Sequence, residues 1–308
     1  MFRMRRRIER LEESTPDLLE KPAGLWRGAW RRLVRRKGGV IGMIIIGFMI
    51  FLAPHSPTED FIGVEDIKRR DSPCVHLFGC DDQAPQHIMG LDGNARDEFS
   101  RVIFGSRVSL SVGFSTVIVA FSVGATLGAI AGFWGGWPDS LIMRVMDVVL
   151  GFPALLLAIA IVAALGPGLR NTLLAIAIVS IPAYARVMRA SVLSIKELDF
   201  VAASRALGAT KIRILWTRVV PNALTPLVVI GTLGIATAIL DAAAFGFLGL
   251  GAQPPTAEWG SMLAQERNQV FSAPHLVFFP GLAIMITVLG FNLLGDGLRD
   301  ALDPALAD

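Results

Sequence analysis

The chain has 308 residues, of which 53% are hydrophobic and only 18% are charged, and its mean hydropathy is +0.56. This composition is too apolar for the charged surface of a water-soluble domain, so it predicts an all-α polytopic membrane protein. The net charge of +3 is small, but basic residues concentrate near the start, in RMRRRIER and WRRLVRRK. Because this basic arm directly precedes an apolar stretch, we interpret its partner as membrane lipid and expect no nucleic acid.

Residues 1–38 are expected to form this arm, and part of it is predicted to be an amphipathic helix in the headgroup plane. In AGLWRGAWRRLVRRKG the apolar residues recur at helical spacing opposite arginines. They are Leu25, Trp26, Ala29, Trp30 and Leu33. No small-residue cleavage site follows the first apolar segment, so we expect residues 39–54 to remain as the first transmembrane helix.

Six apolar segments approach the length of about 20 residues that a helix needs to cross a bilayer. After the first, they lie near residues 110–133, 141–165, 172–193, 223–248 and 276–294. Small residues recur in them, as in SVGATLGAIAG, and predict closely packed helices. The chain is therefore divided into the arm, the first helix, a loop at 55–106, a core domain of five spans at 107–298 and a tail at 299–308.

The distribution of Lys and Arg predicts which side of the membrane each loop faces. The arm is rich in arginine, and a basic loop at residues 194–221 follows the fourth span. Loops rich in Lys and Arg remain on the cytoplasmic side. The loop at residues 55–106 is acidic by comparison and is expected to be extracytoplasmic. Both termini are therefore predicted to be cytoplasmic.

The only two cysteines, Cys74 and Cys80, lie in the loop at residues 55–106. If that loop faces an oxidising compartment, a short-range disulfide between them is possible. His76 and His87 raise the alternative of a metal site, but the spacing matches no zinc pattern, so we expect no metal.

Ionisable residues within the spans are costly and need an explanation. We interpret Arg144 and Asp147, three residues apart, as a structural pair, with a transport pathway as the alternative. Asp241 has no basic residue near it in its own helix. It could line a cavity, bond to a neighbouring helix or lie near the outer surface. Pro153, Pro182 and Pro226 lie inside or at the ends of spans and permit kinks or hinges, although static membrane helices carry proline too.

The segment KELDFVAASRALGATKIRILWTRVVPNALTP predicts two short helices around a glycine turn at Gly208, the second ended by Pro221. Such a pair suits the docking of a soluble partner, or it is an interfacial loop. The segment resembles the EAA loop of bacterial ABC importer permeases, in which a Pro follows the Gly by thirteen residues, as here. Ala202 stands where the family usually has Glu, and Ser204 where it has a second Ala. The resemblance implies docking of an ATPase, without a salt bridge from that Glu.

Further segments resemble the dipeptide, oligopeptide and nickel subfamily of these importers, in its C-type permease subunit. They are HIMGLDGNARDEFSRVIFGSRVSLSVG, MRVMDVVLGFPALLLAIA and FLGLGAQPPTAEWGSML, and they cover most of the chain after residue 87. One departure concerns the spans. The family often has an acid at the position of Ala242, whereas this chain has Asp241, one residue earlier.

The resemblance implies the type I ABC importer permease fold, with six transmembrane helices and cytoplasmic coupling helices. It implies a multi-pass protein in the inner membrane of a bacterial cell. It also implies three kinds of protein partner: a second homologous permease in a heterodimer, two cytoplasmic ATPases that bind ATP and Mg²⁺, and an extracytoplasmic solute-binding protein. The sequence contains no G-x-x-x-x-G-K-[ST] motif, so we expect no cofactor in this chain. The residues expected to couple to the ATPase are Asp199, Ala202, Ala203, Leu207, Gly208, Ala209 and Pro221. Those expected at the extracytoplasmic mouth are Gly90, Asp92, Arg96, Asp97, Gly251, Pro254 and Trp259.

The expected function is that of a permease subunit for peptides, which forms half of a pore and has no catalytic site. An intramembrane enzyme is disfavoured because the sequence lacks G-x-S-x-G and H-E-x-x-H motifs. A secondary transporter or channel would not explain the coupling segment. Dipeptides, oligopeptides, nickel chelates and glutathione-like compounds all remain open as substrates.

Overall fold

The computed structural model describes residues 25–53, 69–76, 80 and 86–302. The α-helices of this part are α1 (Leu25–Arg35), α2 (Lys37–Leu52), α3 (Glu98–Trp134), α4 (Gly136–Leu150), α5 (Ala154–Leu165), α6 (Leu169–Ile195), α7 (Asp199–Ala206), α8 (Lys211–Ile214), α9 (Val220–Phe247), α10 (Trp259–Glu266) and α11 (His275–Leu302). A π-helical turn, Leu215–Val219, joins α8 to α9, and a 3₁₀ turn, Arg267–Gln269, follows α10. Extended pairing in these residues is limited to isolated bridges, so the all-α prediction is confirmed.

Four helices of the described part are long and apolar enough to cross a membrane: α3, α6, the continuous helix Lys211–Phe247 and α11. The pair α4 and α5 forms a fifth candidate. The expected first span, α2, is apolar but has only 16 residues. Its length of about 24 Å is less than the ~30 Å of a bilayer core. The predicted count of six spans is therefore not confirmed.

The segment expected to form a span at residues 141–165 is a candidate span, but it is not one continuous helix. α4 ends at Leu150, α5 begins at Ala154, and the two helices are bent by 90° at this break. Pro153 explains the break, because proline lacks an amide proton and disfavours helical conformation at the residue before it. The kink that the sequence permitted is a complete interruption of the helix.

Two helices extend beyond their expected bounds. α3 begins at Glu98, well before residue 110, because the Asp97 carboxylate accepts a hydrogen bond of 2.8 Å from the Ser100 amide and caps the helix. Residues 98–106 of the expected loop are therefore helical. α11 runs to Leu302, into the expected tail at 299–308. Residues 1–24 of the expected arm, 54–68, 77–79 and 81–85 of the expected loop, and 303–308 of the expected tail lie outside the described residues.

The most extensive helix packing joins α3 to α6. Gly124, Gly128 and Gly132 of α3 face α6 at four-residue intervals. A Cβ atom at Gly124 would lie 2.7 Å from Tyr184 Cβ, and one at Gly132 would lie 2.9 Å from the carbonyl oxygen of Arg189. The close packing predicted from small residues is confirmed. α9 and α11 complete the main core, which α2 and α10 flank.

α1 packs on α11, the last helix of the bundle. Ala29 and Leu33 of α1 are buried, and Ala29 lies in an apolar cluster with Leu302. Trp30 remains 60% exposed. The predicted amphipathic helix is therefore present, but part of its apolar face contacts protein.

The helices define two ends of the molecule. At one end, Lys196 donates to the carbonyl of Gly132 (3.0 Å), which joins the ends of α6 and α3. This end, which we name the coupling end, also holds residues 197–218. At the opposite end, the loop end, Thr172 donates to the carbonyl of Leu250 (3.0 Å). The loop end holds residues 69–97 and 248–274.

Candidate functional site

The segment between α6 and α9 folds as the sequence predicts, as two short helices around a glycine turn. α7 ends at Ala206, and Gly208 follows with φ +81°, a left-handed conformation that favours glycine. The Thr210 hydroxyl then accepts a hydrogen bond of 3.4 Å from the Arg213 amide and caps α8.

The expectation that Pro221 ends the second helix is wrong. The helix continues from Lys211 to Phe247 without a break. Just before the proline the backbone is π-helical, and the Val220 amide bonds to the carbonyl of Leu215, five residues earlier. Proline has no amide proton and clashes with the carbonyl of the preceding turn, and a π-helical turn accommodates both effects. The coupling segment is therefore directly continuous with α9.

Buried apolar residues attach the coupling segment to the bundle. Val201 of α7, Ile214 of α8 and Leu215 are at most 1% exposed. They belong to one cluster with Ala129 of α3 and Met188 of α6. Because packed interiors are dense and transmit displacement, a force on α7 or α8 reaches α3, α6 and α9.

The opposite side of the same segment carries exposed apolar side chains. We name it the coupling surface, formed by Leu198, Phe200, Leu207, Ile212 and Trp216, which are each at least 40% exposed. Leu207, next to the glycine turn, is 88% exposed. Large exposed apolar side chains with Arg205 and Arg213 in the same segment are typical of a surface that a partner covers.

The residues expected to couple to the ATPase are distributed around this surface. Asp199, Ala202, Ala203 and Gly208 are exposed, as is Leu207. Ala209 is half-buried against the cluster that anchors the segment. Pro221 is exposed at the start of α9, more than two helical turns beyond the glycine turn.

The loop end contains a buried polar cluster centred on Asp92. Arg96 Nε lies 2.7 Å from Asp92 Oδ2, and Arg101 Nε lies 3.4 Å from the same oxygen. Asp92 Oδ1 accepts hydrogen bonds of 2.8 Å from the amides of Asn94 and Arg96. Asp92 and Arg96 are at most 6% exposed. Their buried ion pair therefore stabilises the conformation of the loop before α3.

Glu266, at the end of α10, ties this loop to the second half of the chain. Its carboxylate accepts a hydrogen bond of 2.8 Å from Arg70 Nε and one of 3.0 Å from the Gly93 amide. Arg96 also donates to Gln265 (3.3 Å). Sequence analysis missed this role of Glu266 and Arg70, because nothing local in the sequence joins residues so far apart along the chain.

Trp259 and Glu258 fix the start of α10. The Trp259 indole donates to the carbonyl of Val102 (2.9 Å) and packs against Gly105. Glu258 is 2% exposed and caps α10 by accepting from the amides of Gly260 (2.9 Å) and Ser261 (2.8 Å). Burial raises the pKa of the Glu258 carboxyl, and the two amide donors oppose that shift.

The expected mouth residues divide into two groups. Gly90, Asp92, Arg96, Gly251 and Trp259 are buried and support the loop end, and Asp97 is half-buried as the cap of α3. Pro254 is exposed and lines a cleft of about 340 Å³ with Gln253 and Arg267. The role of these seven residues at a mouth stays a prediction.

Cys74 and Cys80 are joined by a disulfide, with their Cα atoms 5.4 Å apart. Cys74 also pairs through its backbone with His87. His87 in turn lies beside Asp97, with 3.5 Å between Nδ1 and Oδ1. These contacts connect the loop before α3 to the cap of that helix.

Two ion pairs join α4 to α6, and sequence analysis missed both. Asp147 pairs with Arg186 (2.6 Å), so the expected pairing of Asp147 with Arg144 is wrong. Arg189 donates to Asp139 through two nitrogens, one at 2.6 Å. Arg186 and Arg189 of α6 lie beside α4. Asp147 and Asp139 of α4 therefore pair with arginines of the neighbouring helix and not with one on their own helix.

These features have counterparts in known proteins. Residues 124–308 match the family of binding-protein-dependent transport system inner membrane components, and residues 24–62 match the N-terminal TM domain of oligopeptide transport permease C. The chain belongs to this family of membrane permeases. It is a multi-pass inner-membrane protein, as predicted.

Curated relatives align with almost the whole chain. The dipeptide transport system permease protein DppC of Alkalihalophilus pseudofirmus is 47% identical over 281 residues, covering 91% of this chain and 90% of that protein. The di/tripeptide permease DppC of Pseudomonas aeruginosa is 45% identical, covering 90% and 91%. The glutathione transport system permease protein GsiD of Pectobacterium atrosepticum is 42% identical, covering 91% of each. The predicted resemblance to a C-type permease is confirmed.

A solved structure supports the fold. Part of the inward-facing MetNI methionine ABC transporter superposes with a TM-score of 0.54 at 20% identity, covering 66% of this chain and 96% of the matched chain. At this identity the likeness concerns the fold alone. The predicted permease fold is therefore confirmed. The predicted number of spans is not.

Proposed function

We propose that this permease forms half of the pore of an ATP-driven importer for peptides, driven by ATPases that bind the coupling surface. The observation that carries the proposal is Leu207, 88% exposed beside the left-handed Gly208, on a segment anchored by the buried Val201 and Ile214. One side of this segment is free to bind a partner, while the other side contacts the helices of the bundle.

The proposed orientation places the coupling end in the cytoplasm. Lys196, Arg205, Lys211, Arg213 and Arg218 lie at this end, together with the basic residues of α1. Basic residues favour the cytoplasmic face. The loop end, with the disulfide Cys74–Cys80, then faces an oxidising compartment where a binding protein would deliver the solute.

The remaining partners follow from the same proposal. ATP and Mg²⁺ would bind to the ATPases, since the sequence of this chain lacks a P-loop motif, and the permease itself would perform no covalent chemistry. A second, homologous permease would complete the pore as a heterodimer.

Peptides are the proposed substrates because two of the aligned relatives are named for dipeptide or di/tripeptide transport. A relative named for glutathione makes that compound the first alternative.

Affinity purification of the tagged chain from its native membranes tests the proposal. We expect a second permease and ATPases to be recovered with the wild-type chain. Leu207→Asp should lose the ATPases, because a charge would be placed in an apolar interface. Phe271→Asp is the matched control: Phe271 is fully exposed at the loop end, so this variant should retain them.

Transport by the purified assembly in liposomes separates the alternatives. ATP-dependent uptake of dipeptides and oligopeptides, competed against glutathione and a nickel chelate, would identify the substrate class. A chain that purifies alone and moves solute without ATP would instead be a secondary transporter, and the proposal would be wrong.

A further inference from the structure

A small cavity opens between α5, α6 and α9, away from the coupling surface. Its volume is about 120 Å³. Most of its lining is apolar, including Ala158, Ile176 and Phe245, but it also contains Ser180 of α6 and Asp241 of α9. A water molecule takes about 30 Å³ of liquid volume, so the cavity has room for a few waters or one organic ammonium group, but not for a peptide.

Asp241 is an exposed carboxylate within a membrane-spanning helix. It lies six residues, or about 9 Å, before the end of α9 at Phe247. In the part of the chain that the structure describes, no Lys, Arg or His pairs with it. Ionisable residues at such depth face a water-filled cavity or a counter-charge, because lipid hydrocarbon solvates them poorly.

Other polar groups continue along this side of the bundle. Val179 lines the cavity, and Arg186 follows it by seven residues, so both lie on the same face of α6. Arg186 and its partner Asp147 are each more than half exposed. The exposed residues of α2, by contrast, are apolar ones such as Ile44 and Phe48, which suit lipid.

We propose that the cavity around Asp241 belongs to the hydrated translocation path and that Asp241 binds the positively charged amino group of the passing solute. The identity of that solute as a peptide rests on the proposed function. The α-amino group of a peptide has a pKa near 8, so it is mostly charged at neutral pH. The carboxylate attracts such a group, and the apolar lining strengthens the ion pair because it lowers the local dielectric constant below that of bulk water. Side chains of the solute would remain outside the cavity, so this contact would not select among peptide sequences.

Thiol labelling of the assembled importer in membrane vesicles tests this directly. The background carries Cys74→Ser and Cys80→Ser, and Ser180→Cys places one thiol in the cavity. A water-soluble cationic methanethiosulfonate, bearing trimethylammonium, and an anionic one, bearing sulfonate, are compared. We expect both to react with Ser180→Cys, and the ratio of cationic to anionic rates to fall about tenfold when Asp241→Asn is added. Comparing one thiol with and without Asp241 cancels the intrinsic difference between the reagents.

Phe48→Cys is the matched control, since Phe48 is 56% exposed on an apolar face of α2. Labelling of Ser180→Cys as slow as that of Phe48→Cys would show that the cavity is not hydrated. An unchanged rate ratio in Asp241→Asn would show that the carboxylate does not attract cations. Either result would overturn the assignment.

Uptake measurements then test the solute itself. Asp241→Asn should slow ATP-driven uptake of a peptide with a free amino group several-fold, and Asp241→Glu should restore most of it. The affinity of the binding protein for the peptide should not change, because Asp241 is not part of that protein. A wild-type assembly that shows no ATP-driven uptake would refute the proposed function while leaving the labelling result standing; normal uptake by Asp241→Asn would refute only the role of Asp241.

Discussion

Asp92 and Arg96 form a buried ion pair at the loop end, with 2.7 Å between Oδ2 and Nε and neither residue more than 6% exposed. Removal of one partner from such a pair leaves the other charge buried without compensation. Asp92→Asn should therefore lower the free energy of unfolding by about 3 kcal/mol. The midpoint of thermal unfolding in mild detergent measures this.

Asp71→Asn is the control for this prediction, because Asp71 is exposed and its carboxylate bonds only to the neighbouring Ser72 amide among the hydrogen bonds found in the described residues. Equal midpoints for Asp92→Asn and Asp71→Asn would mean that the polar cluster contributes little to stability.

Gly208 should be intolerant of a side chain for conformational reasons alone. A Cβ atom there would meet no atom within 4 Å, but the φ of +81° is unfavourable for any other residue by about 1 kcal/mol. Gly208→Ala should shift the turn and reduce the amount of ATPase that co-purifies, with no loss of the permease. Gly281→Ala, at a helical glycine with equally open surroundings, should have no such effect. Equal recovery in both variants would contradict this account of the turn.

The contact between α3 and α6 should be sensitive to one methyl group. A Cβ atom at Gly128 would overlap the carbonyl oxygen of Ala185 and lie 2.9 Å from Met188 Cβ. Gly128→Ala should therefore destabilise the bundle by about 2 kcal/mol through overpacking. Gly47→Ala, where a Cβ atom would meet nothing within 4 Å, should leave the unfolding midpoint in detergent unchanged. A midpoint for Gly128→Ala that matches Gly47→Ala would indicate that the helices separate at little cost.

The disulfide Cys74–Cys80 can be tested by mass spectrometry. Alkylation of the native protein should add no mass before reduction and two alkyl groups after it, since these are the only two cysteines. Cys74→Ser should expose one thiol that reacts without reduction. Two free thiols in the wild-type protein would contradict both the bond and the placement of this loop in an oxidising compartment.

Glu258 should make stability depend on pH. Burial raises the pKa of its carboxyl in the folded state, so the neutral form stabilises the fold. This contribution is fully present below the ordinary pKa of the group and is lost as pH rises through the raised value. The unfolding midpoint of the wild type should fall, relative to Glu258→Gln, as pH rises above the ordinary carboxyl pKa of about 4.3. Glu197→Gln, at an exposed position, should follow the wild type; a parallel fall in Glu258→Gln would assign the effect to another group.

The sequence predicted the coupling segment closely because its signals are local. A helix-forming run, then Gly208, then a second run requires no knowledge of distant residues. The same reasoning failed at Pro221, where a proline usually ends a helix. There the π-helical turn Leu215–Val219 absorbs the missing amide and the clash, and only the packed structure could decide that.

The sequence by itself determined the class of the protein: its apolar composition requires a membrane, its small residues require close helix packing, and its glycine turn locates the coupling segment. Only the tertiary structure decided the partners of the charges. Asp147 pairs with Arg186 and Glu266 with Arg70, and Asp241 faces a cavity. Hydrophobicity and turn preferences act over a few residues, whereas ion pairing depends on which helices become neighbours, and the chain order alone does not specify that.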